Sequence, residues 1–328
     1  MKSRSVIILA PQYYGLDESI KRAFERLGYE STLFGLNMQI WERALGKITR
    51  MYGMTRGALN PFLLAALKHE NRRYLRKAKE IKPALIFVVK GDSLLPQTLQ
   101  SLKKMEIPCI SYQWDDPFYS GDGVTAGDEF RTSNFEKGMK HYSHIFVFDR
   151  HYVDIVKRRG CSNVDYLPLA ADDEIYRNIQ LTDEERGRYA FDVSFVGMPF
   201  QNRINLFNEL KDVRIGVFGD YWDRHEDKMK GDYYRGKASG ETVKKIYCAS
   251  KINLNINHPQ SLYGVNTRTF EIPACRAFSM VDHKQGLEEM FNIGEEIVCY
   301  RNMDELKDKI KFYINNDRER LRIAELGY

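Results

Sequence analysis

The chain has 328 residues, of which 12% are aromatic and 29% are charged, with a formal net charge of +5. That length exceeds what a single hydrophobic core ordinarily serves, so two domains are expected, and the composition excludes an intrinsically disordered chain. Five cysteines lie far apart with no Cys-x-x-Cys pair, which argues against a zinc site or a disulfide framework. The apolar run before Pro11 is too short for a signal peptide or a membrane span, so we expect a cytoplasmic protein.

Short apolar runs rich in β-branched residues alternate with amphipathic segments along most of the chain. In the first half they predict strands at Val6–Ala10, Ser31–Phe34, Leu85–Val89, Cys109–Gln113, Ile145–Phe148 and Val164–Leu167. After a polar, acidic stretch the pattern restarts, with strands predicted at Val193–Val196, Arg214–Phe218, Ile252–Ile256, Phe278–Val281 and Ile297–Tyr300. This alternation is typical of parallel sheets that are covered by helices on both faces.

The predicted fold class is therefore α/β, with two Rossmann-like domains facing across a cleft. We expect an N-terminal domain at residues 1–172, a linker at 173–190 and a C-terminal domain at 191–328. Ligands of such domains gather beyond the carboxyl ends of the strands, so the loops after the strands are the candidate sites. The chain has no Gly-x-Gly-x-x-Gly fingerprint, which disfavours a nicotinamide enzyme.

Two features of the first domain precede its candidate catalytic residues. Gly15 follows the first strand and either closes a turn or also lines the donor side of the cleft. Residues 41–80 carry ten Lys and Arg against three Glu, with Trp41, Tyr52 and Phe62 among them. This basic region is either a solvated helix pair or a surface that contacts an acidic polymer or the inner face of an anionic membrane. It does not form a known nucleic-acid reading module, so nucleic acid is not an expected partner.

The fourth strand runs into the sequence WDDPF, which places Asp115 and Asp116 at a carboxyl end. Repulsion between neighbouring carboxylates in a cleft raises the pKa of one of them, which suits proton transfer. Turn chemistry is the alternative, since Asp-Asp-Pro favours turns. A metal site is a third possibility, although no further acid or histidine cluster at ligand spacing supports it.

The second domain offers three more loops. Its first strand ends at Gly197, and Arg203 follows in the first turn of a helix, where positive charge suits a diphosphate. The alternative is that Arg203 is an ordinary surface residue. Gly219 and Asp220 end the next strand at the same edge. His258 follows a later strand and either contacts a phosphate, takes part in proton transfer or caps its loop.

The run LYGVNTRTFEIPAC contains the most specific pattern. From residue 234 onward the chain resembles the C-terminal domain of GT-B glycosyltransferases, in particular the CgeB-like branch of the group 1 superfamily. The order of elements, the Asn-x-Arg-x-Phe-Glu turn, the Ala-Cys after it and the late EEIVCY and DELKDKI runs carry the resemblance. The segments DVSFVGMPFQNR and WDDPF resemble other marked parts of that family.

The resemblance implies that the C-terminal domain binds a nucleotide-sugar donor, with UDP as the expected nucleotide, and that the N-terminal domain binds a glycan, protein or lipid-linked acceptor. No cofactor and no metal are expected. The resemblance places Glu271 at the ribose hydroxyls of the donor, and it places Asn266 and Arg268 at the phosphates or the sugar. The loop that contains Lys237 and Ala238 would meet the base.

Three departures from the family pattern bear on these expectations. Tyr263 stands where related proteins carry a second glutamate, which affects recognition of the donor sugar, whereas Gly264 lets the backbone approach the ligand. Arg276 stands where glycine commonly follows Ala-Cys, and either closes part of the pocket or adds a cation. After Tyr328, such proteins usually continue into a further helix.

The resemblance implies glycosyl transfer, in cell-surface or spore-surface glycan synthesis. Arg203, Arg268 and the helix start near Thr267 would neutralise the leaving diphosphate. Asp115 or Asp116 would take the acceptor proton if the reaction inverts configuration, and would only position the acceptor if it retains configuration. The alternatives are an epimerase or hydrolase of nucleotide sugars and a non-catalytic surface-assembly protein.

Overall fold

The computed structural model describes residues 4–12, 15–35, 60–118 and 134–328. Trp41 and Tyr52 of the basic region lie outside the described residues. The chain divides into two compact units, Met1–Pro168 and Leu169–Tyr328. Each unit contains one parallel sheet with helices, which confirms the predicted α/β class.

The first unit is built on a six-stranded sheet with the order β2-β1-β3-β4-β5-β6. Its strands are β1 Ser5–Ala10, β2 Glu30–Gly35, β3 Leu85–Val89, β4 Cys109–Gln113, β5 His144–Val147 and β6 Val164–Tyr166. Its helices include α1 Leu16–Arg26, α2 Asn60–Ile81, α3 Pro96–Lys104 and α4 His151–Arg158. Every residue of β1 is buried, as expected for a parallel strand that is covered on both faces.

The second unit is built on a five-stranded sheet with the order β11-β10-β9-β7-β8. Its strands are β7 Val193–Val196, β8 Ile215–Phe218, β9 Ile252–Asn255, β10 Ser279–Asp282 and β11 Val298–Tyr300. Its helices include α5 Asp183–Tyr189, α6 Gln201–Glu209, α7 Glu241–Ala249, α8 Arg268–Ala274, α9 Met303–Ile314 and α10 Asp317–Leu326. All the predicted strands of both units are present, with ends within one residue of the predicted ones.

Helices pack on both faces of the second sheet. Adjacent residues of a strand point to opposite faces, and Phe195 and Val196 of β7 show the two environments. Phe195 belongs to a core with side chains from α6, α9 and α10. Val196 belongs to a second core, here called the α7–α8 core, with side chains from those two helices. Each large apolar side chain that is fully buried there stabilises the fold by roughly 1.5–3 kcal/mol.

Residues 173–190, predicted as a linker, fall within the second unit. Helix α5 occupies part of this segment and starts with a capping box, in which Thr182 and Glu185 each accept the other's backbone N–H with the side chain. Tyr176 and Tyr189 pack against the α7–α8 core. The segment thereby brings side chains to the helix that carries Glu271.

Candidate functional site

The strand order of the second sheet reverses between β7 and β9. Strand β7 pairs with β8 on one side and with β9 on the other, so the chain leaves these central strands toward opposite edges. Doubly wound sheets bind ligands in the crevice beyond the carboxyl ends of two such strands. Gly197 follows β7, and the loop that leads to α8 follows β9. Topology therefore points to the same loops that the sequence predicts.

Two glycines approach each other at this edge. A Cβ atom on Gly219 would stand 2.2 Å from the carbonyl oxygen of Gly197, and the φ angle of Gly219 is +143°. A Cβ atom on Gly197 would stand 3.1 Å from Nη2 of Arg268. The indole Nε1 of Trp222 donates to the Gly197 carbonyl over 2.7 Å. The guanidinium group of Arg268 thus lies against the end of β7 because no side chain occupies that space.

Arg268 and Glu271 lie three residues apart at the start of α8, so their side chains share one helix face. Glu271 is half-buried. Its carboxyl group lies deep enough that burial raises its pKa, while the charge of Arg268 acts in the opposite direction. Hydrogen bonds from the side chains of Thr267, Tyr176 and Tyr247 also favour the ionised form. Arg268 and a carboxyl group whose charged form is disfavoured by burial therefore share one helix face at the switch point.

Two tyrosines that sequence reasoning missed face the Glu271 carboxyl group. Tyr176 precedes α5, Tyr247 belongs to α7, and their ring centroids are 6.4 Å apart. Burial, and then the negative charge of Glu271, raise the pKa of both hydroxyls, so both are protonated donors. The Tyr247 side chain is buried, and its hydroxyl makes no hydrogen bond of standard geometry within the described part of the chain. The nearby acceptor group that influences its pKa is the carboxyl group of Glu271.

The structure excludes the interpretation of Arg203 as an ordinary surface residue, because the residue is 2% exposed. Its guanidinium donates to the carbonyls of Met198 at 2.9 Å and Ile256 at 2.6 Å. These bonds join the loop after β7 to the end of β9. Burial, and then the charge of Arg268, lower the pKa of Arg203 to about 9. Arg203 holds the two loops together and adds positive charge behind Arg268.

Buried asparagines organise the loop between β9 and α8. Asn257 donates its backbone N–H and its Nδ2 to Oδ1 of Asp282, over 2.7 and 2.9 Å. The Oδ1 atom of Asn257 accepts the backbone N–H of Asn266 over 2.9 Å, and Nδ2 of Asn266 donates to Asn255 over 2.8 Å. Asn266 is thereby fixed, with its Oδ1 buried and lacking a hydrogen-bond partner among the described residues. The alternating asparagines of NLNINH were the available sequence signal.

The contacts of His258 match the loop-capping interpretation. Its Nδ1 accepts the backbone N–H of Gln260 over 3.2 Å. Its ring meets the ring of Phe200 edge-on, with centroids 4.3 Å apart. A contact between His258 and a phosphate stays a prediction.

Tyr263 and Gly264 lie on the loop that leads to α8. The Tyr263 hydroxyl donates to the carboxylate of Glu289, and its backbone carbonyl accepts the N–H of Gly286 over 3.0 Å. Gly264 is buried. Glu289 thus supplies a carboxylate beside Tyr263.

The predicted base-contacting loop lies against the end of β8. The N–H of Gly219 donates to the carbonyl of Gly236 over 3.0 Å, and Nζ of Lys237 is 3.5 Å from Oδ1 of Asp220. Ala238 packs against the α7–α8 core. The structure therefore brings Lys237 and Ala238 to the same edge of the sheet as the glycine pair.

Arg276 directly follows the Cys275 that ends α8. Its φ angle is +51°, a left-handed conformation that explains why glycine suits this position. Its guanidinium is 3.3 Å from the Glu325 carboxylate and lies 4.2 Å from the ring centroid of Tyr328. Arg276 thus contacts α10 and the residue that ends the chain.

The two candidate catalytic carboxylates follow β4 in the first unit and differ in their contacts. Asp115 is 2.5 Å from Nζ of Lys90, and Oδ1 of Asp116 accepts the backbone N–H of Phe118 over 2.8 Å. The pKa of Asp116 is raised, as expected for one of the pair, but the cause is burial, which hydrogen bonding to Phe118 and Tyr152 opposes. The bond to Phe118 is turn chemistry of the kind that the alternative interpretation describes.

Gly15 caps α1 in a left-handed conformation with a φ angle of +78°. A Cβ atom there would meet nothing within 4 Å, so the backbone turn alone explains the glycine. Its proposed place in donor binding stays a prediction.

Parts of this chain are similar to known proteins. Residues 203–328 match the family described as glycosyl transferase-like, and this segment includes Arg268 and Glu271. The chain is 23% identical to the spore protein CgeB of Bacillus subtilis over 272 residues, which are 77% of this chain and 79% of that protein.

Two solved structures decide the fold. Sucrose-phosphate synthase from Thermosynechococcus elongatus matches with a TM-score of 0.65 and 9% identity, over 98% of this chain and 92% of that chain. Anabaena HepE in complex with UDP-glucose matches with a TM-score of 0.61 and 10% identity, over 98% and 93%. The chain has the GT-B glycosyltransferase fold.

The resemblance read from the sequence is confirmed, including the similarity to CgeB. The family match covers the whole second unit from α6 onward, where the motif of Arg268 and Glu271 lies. Among the described helices of the GT-B chain, none is both long and apolar enough to cross a membrane.

Proposed function

We propose that this protein is a glycosyltransferase that moves a sugar from a UDP-linked donor to a hydroxyl group of a glycan, protein or lipid-linked acceptor. The observation that carries the proposal is the pairing of Arg268 and Glu271 on one face of α8, beside Gly197 at the switch point. A nucleoside diphosphate offers the complementary chemistry, because its ribose donates hydrogen bonds and its diphosphate is an anion. The complex of the similar HepE fold with UDP-glucose makes UDP the first nucleotide to test.

In this proposal each group has a distinct role in donor binding. The Glu271 carboxylate accepts hydrogen bonds from ribose hydroxyls, which are charge-assisted and therefore stronger than neutral ones. Arg268 binds the diphosphate, and the buried charge of Arg203 strengthens the local positive potential. The free Oδ1 of Asn266 accepts a further donor from the sugar nucleotide. Lys237 and Ala238 face the base.

During transfer the bond between the anomeric carbon and the diphosphate breaks, and negative charge grows on the leaving phosphate. Fixed cations that already point at this charge stabilise the transition state without a metal ion. The acceptor hydroxyl attacks the anomeric carbon and loses its proton. Asp116 is the stronger candidate for that proton, because burial makes its carboxylate more basic than an exposed aspartate. In a retaining reaction the pair would position the acceptor instead.

Thermal denaturation in the presence of nucleoside diphosphates tests the donor site. A ligand at 100 times its Kd stabilises the folded protein by about 2.7 kcal/mol, so UDP is expected to raise the Tm. The rise should persist in EDTA and should shrink in Glu271→Ala and Arg268→Ala. If no nucleoside diphosphate raises the Tm, the assignment of the donor site is wrong.

Product analysis with UDP-sugars then separates the alternatives. Sugar transfer that requires an added hydroxyl acceptor supports the proposal. An epimer, or rapid release of free sugar without acceptor, indicates an epimerase or hydrolase. Donor binding without turnover over a broad panel of acceptors indicates a non-catalytic assembly protein, and the similarity to a spore protein makes surface glycans the first acceptors to try.

Peripheral membrane contact through the basic region is a separate part of the proposal. Its described portion is α2, where Phe62 is 57% exposed. Flotation with anionic and with neutral liposomes tests it. Binding that needs anionic lipid and weakens with salt supports membrane contact, whereas no flotation with either lipid removes it.

A further inference from the structure

We propose that Tyr176 and Tyr247 are positioning residues for Glu271. Their hydroxyl groups hold the carboxylate so that its remaining lone pairs face the two hydroxyls of a ribose. This inference rests on the proposed function, because that function makes Glu271 the contact to the ribose. It adds Tyr176, which precedes the segment that matches the family, and Tyr247, which lies within that segment, to the recognition of the donor.

Three separate segments of the chain meet at Glu271. Glu271 belongs to α8, Tyr247 belongs to α7, and Tyr176 comes from the segment before α5. These three elements meet because their apolar side chains share the α7–α8 core. Tyr176 is also held by its own backbone, since its N–H donates to the carbonyl of Asp172 over 2.8 Å. Both tyrosine side chains are therefore held in place by packing against the α7–α8 core.

A second feature of this site is the unsatisfied Tyr247 hydroxyl. The residue is 2% exposed, and within the described residues its oxygen has no hydrogen bond of standard geometry. Native proteins seldom leave such a group without a partner, because its desolvation is then uncompensated. The group that it faces is the carboxyl group of Glu271. A Glu271 carboxylate that a bound ligand orients toward this hydroxyl would satisfy it.

The groups around Glu271 determine how readily its carboxyl group ionises. Burial favours the neutral acid of Glu271, but a neutral acid accepts hydrogen bonds poorly. The groups that face the carboxyl are Arg268, Thr267 and Cys275 on or beside its own helix, and the two tyrosines from other elements. The cation and the hydroxyls favour the carboxylate, whereas the Cys275 thiol is buried and neutral. Loss of either tyrosine hydroxyl therefore makes Glu271 harder to ionise and less well oriented.

The test compares a ribonucleotide with its deoxy analogue by isothermal titration calorimetry. The probes are UDP, GDP and ADP, followed by the 2′-deoxy form of whichever binds most tightly. The wild-type protein is expected to prefer the ribonucleotide about tenfold or more, and Glu271→Gln should lose most of that preference. Tyr176→Phe and Tyr247→Phe should each lower the preference about threefold to tenfold, with the affinity for the deoxynucleotide almost unchanged.

A pH series supplies the readout that a merely structural role would not move. Affinity for the ribonucleotide should fall as the pH drops through the raised pKa of Glu271, and this fall should begin at higher pH in both Phe variants. Tyr189→Phe is the matched control, because Tyr189 packs on the same core with its ring against that of Phe218. It should match the wild-type protein in both measurements, and Phe keeps the ring packing in every variant.

The outcomes distinguish failure of the proposed role of Glu271 from failure of the proposed role of the two tyrosines. If the wild-type protein binds no nucleoside diphosphate, or binds without preference for the ribose, the proposed role of Glu271 fails and the positioning inference fails with it. If Glu271→Gln loses the preference while both Phe variants keep the wild-type preference and pH profile, only the positioning inference is overturned. A lower preference in Tyr176→Phe and Tyr247→Phe, with Tyr189→Phe unchanged, supports it.

Discussion

Gly219 and Gly197 follow neighbouring strands, and a Cβ atom on Gly219 would stand 2.2 Å from the carbonyl oxygen of Gly197. That separation is far below any real contact of a Cβ atom, and the φ angle of +143° is one that other residues rarely adopt. The same Gly197 carbonyl accepts the indole N–H of the buried Trp222. The backbone at the candidate donor site therefore depends on a glycine at position 219.

Gly219→Ala is expected to destabilise the protein by more than about 2 kcal/mol, because the backbone of β7 or β8 must move to admit a methyl group. Gly236→Ala is the matched control, since Gly236 has a φ angle of +103° but nothing within 4 Å of an added Cβ atom. It should cost only about 1–2 kcal/mol of conformational strain. Thermal melts of both variants check the difference, and equal Tm values would contradict the close approach.

Asp282 accepts two hydrogen bonds from Asn257. Asp282→Ala leaves both donors buried without an acceptor and is expected to cost about 2 kcal/mol or more. Asp282→Asn keeps an oxygen in the same place and should remain within about 1 kcal/mol of the wild-type protein at neutral pH. Denaturation of the two variants measures the contrast.

Comparison of the wild-type protein with Asp282→Asn also tests the ionisation of Asp282. Burial raises its pKa in the folded state, so folding favours the protonated form. As the pH rises from the ordinary aspartate pKa to the raised value, the wild-type protein should lose stability relative to Asp282→Asn, and above that window the difference should stay constant. A Tm difference that does not change with pH would show that the carboxyl group has an ordinary pKa.

If Asp116 takes the acceptor proton, Asp116→Asn should lower kcat by about 100-fold to 10,000-fold and leave the Kd of UDP unchanged. Because burial raises the pKa of Asp116, the acid limb of the wild-type profile of kcat against pH should lie above the ordinary aspartate range. Asp115→Asn is the control, since Asp115 pairs with Lys90. The base assignment fails if Asp115→Asn removes the acid limb and Asp116→Asn keeps it.

Cys248 and Cys275 interact although 27 positions separate them in the chain. The Cys248 thiol donates to the backbone carbonyl of Cys275 over 3.8 Å, and the neighbouring Cys275 side chain lowers the pKa of Cys248 to about 7. We therefore expect iodoacetamide to modify Cys248 before the buried cysteines, with a rate that reaches half its maximum near pH 7. In Cys275→Ala the midpoint should move to higher pH, because the Cys275 thiol is gone. Mass spectrometry of alkylated peptides locates the label, and faster labelling of Cys109, Cys161 or Cys299 would contradict the assignment.

Sequence reasoning was most successful where the physical signal is local. The run SVIILA of β1 is apolar throughout because a strand inside a parallel sheet is buried on both faces, and such runs located every strand. Arg268 and Glu271 were assigned to one ligand through the family resemblance, and the structure places them three residues apart on one face of α8.

The contacts that sequence reasoning missed join distant positions. Tyr176 lies 95 positions before Glu271, in a stretch with no strand signal, and only packing against the α7–α8 core brings it to α8. For Asp116 the direction of the pKa shift was predicted, but its cause was not, since burial of a side chain depends on what the rest of the chain places around it.

Burial, and then the nearby charge of Arg268, lower the pKa of Arg203, whose guanidinium donates to backbone carbonyls. Repulsion between these two like charges therefore costs part of the folding free energy of the second unit. An entering dianion relieves this repulsion as well as gaining its own contacts. Ligand affinity and conformational stability of the second unit are therefore two measures of one stored interaction.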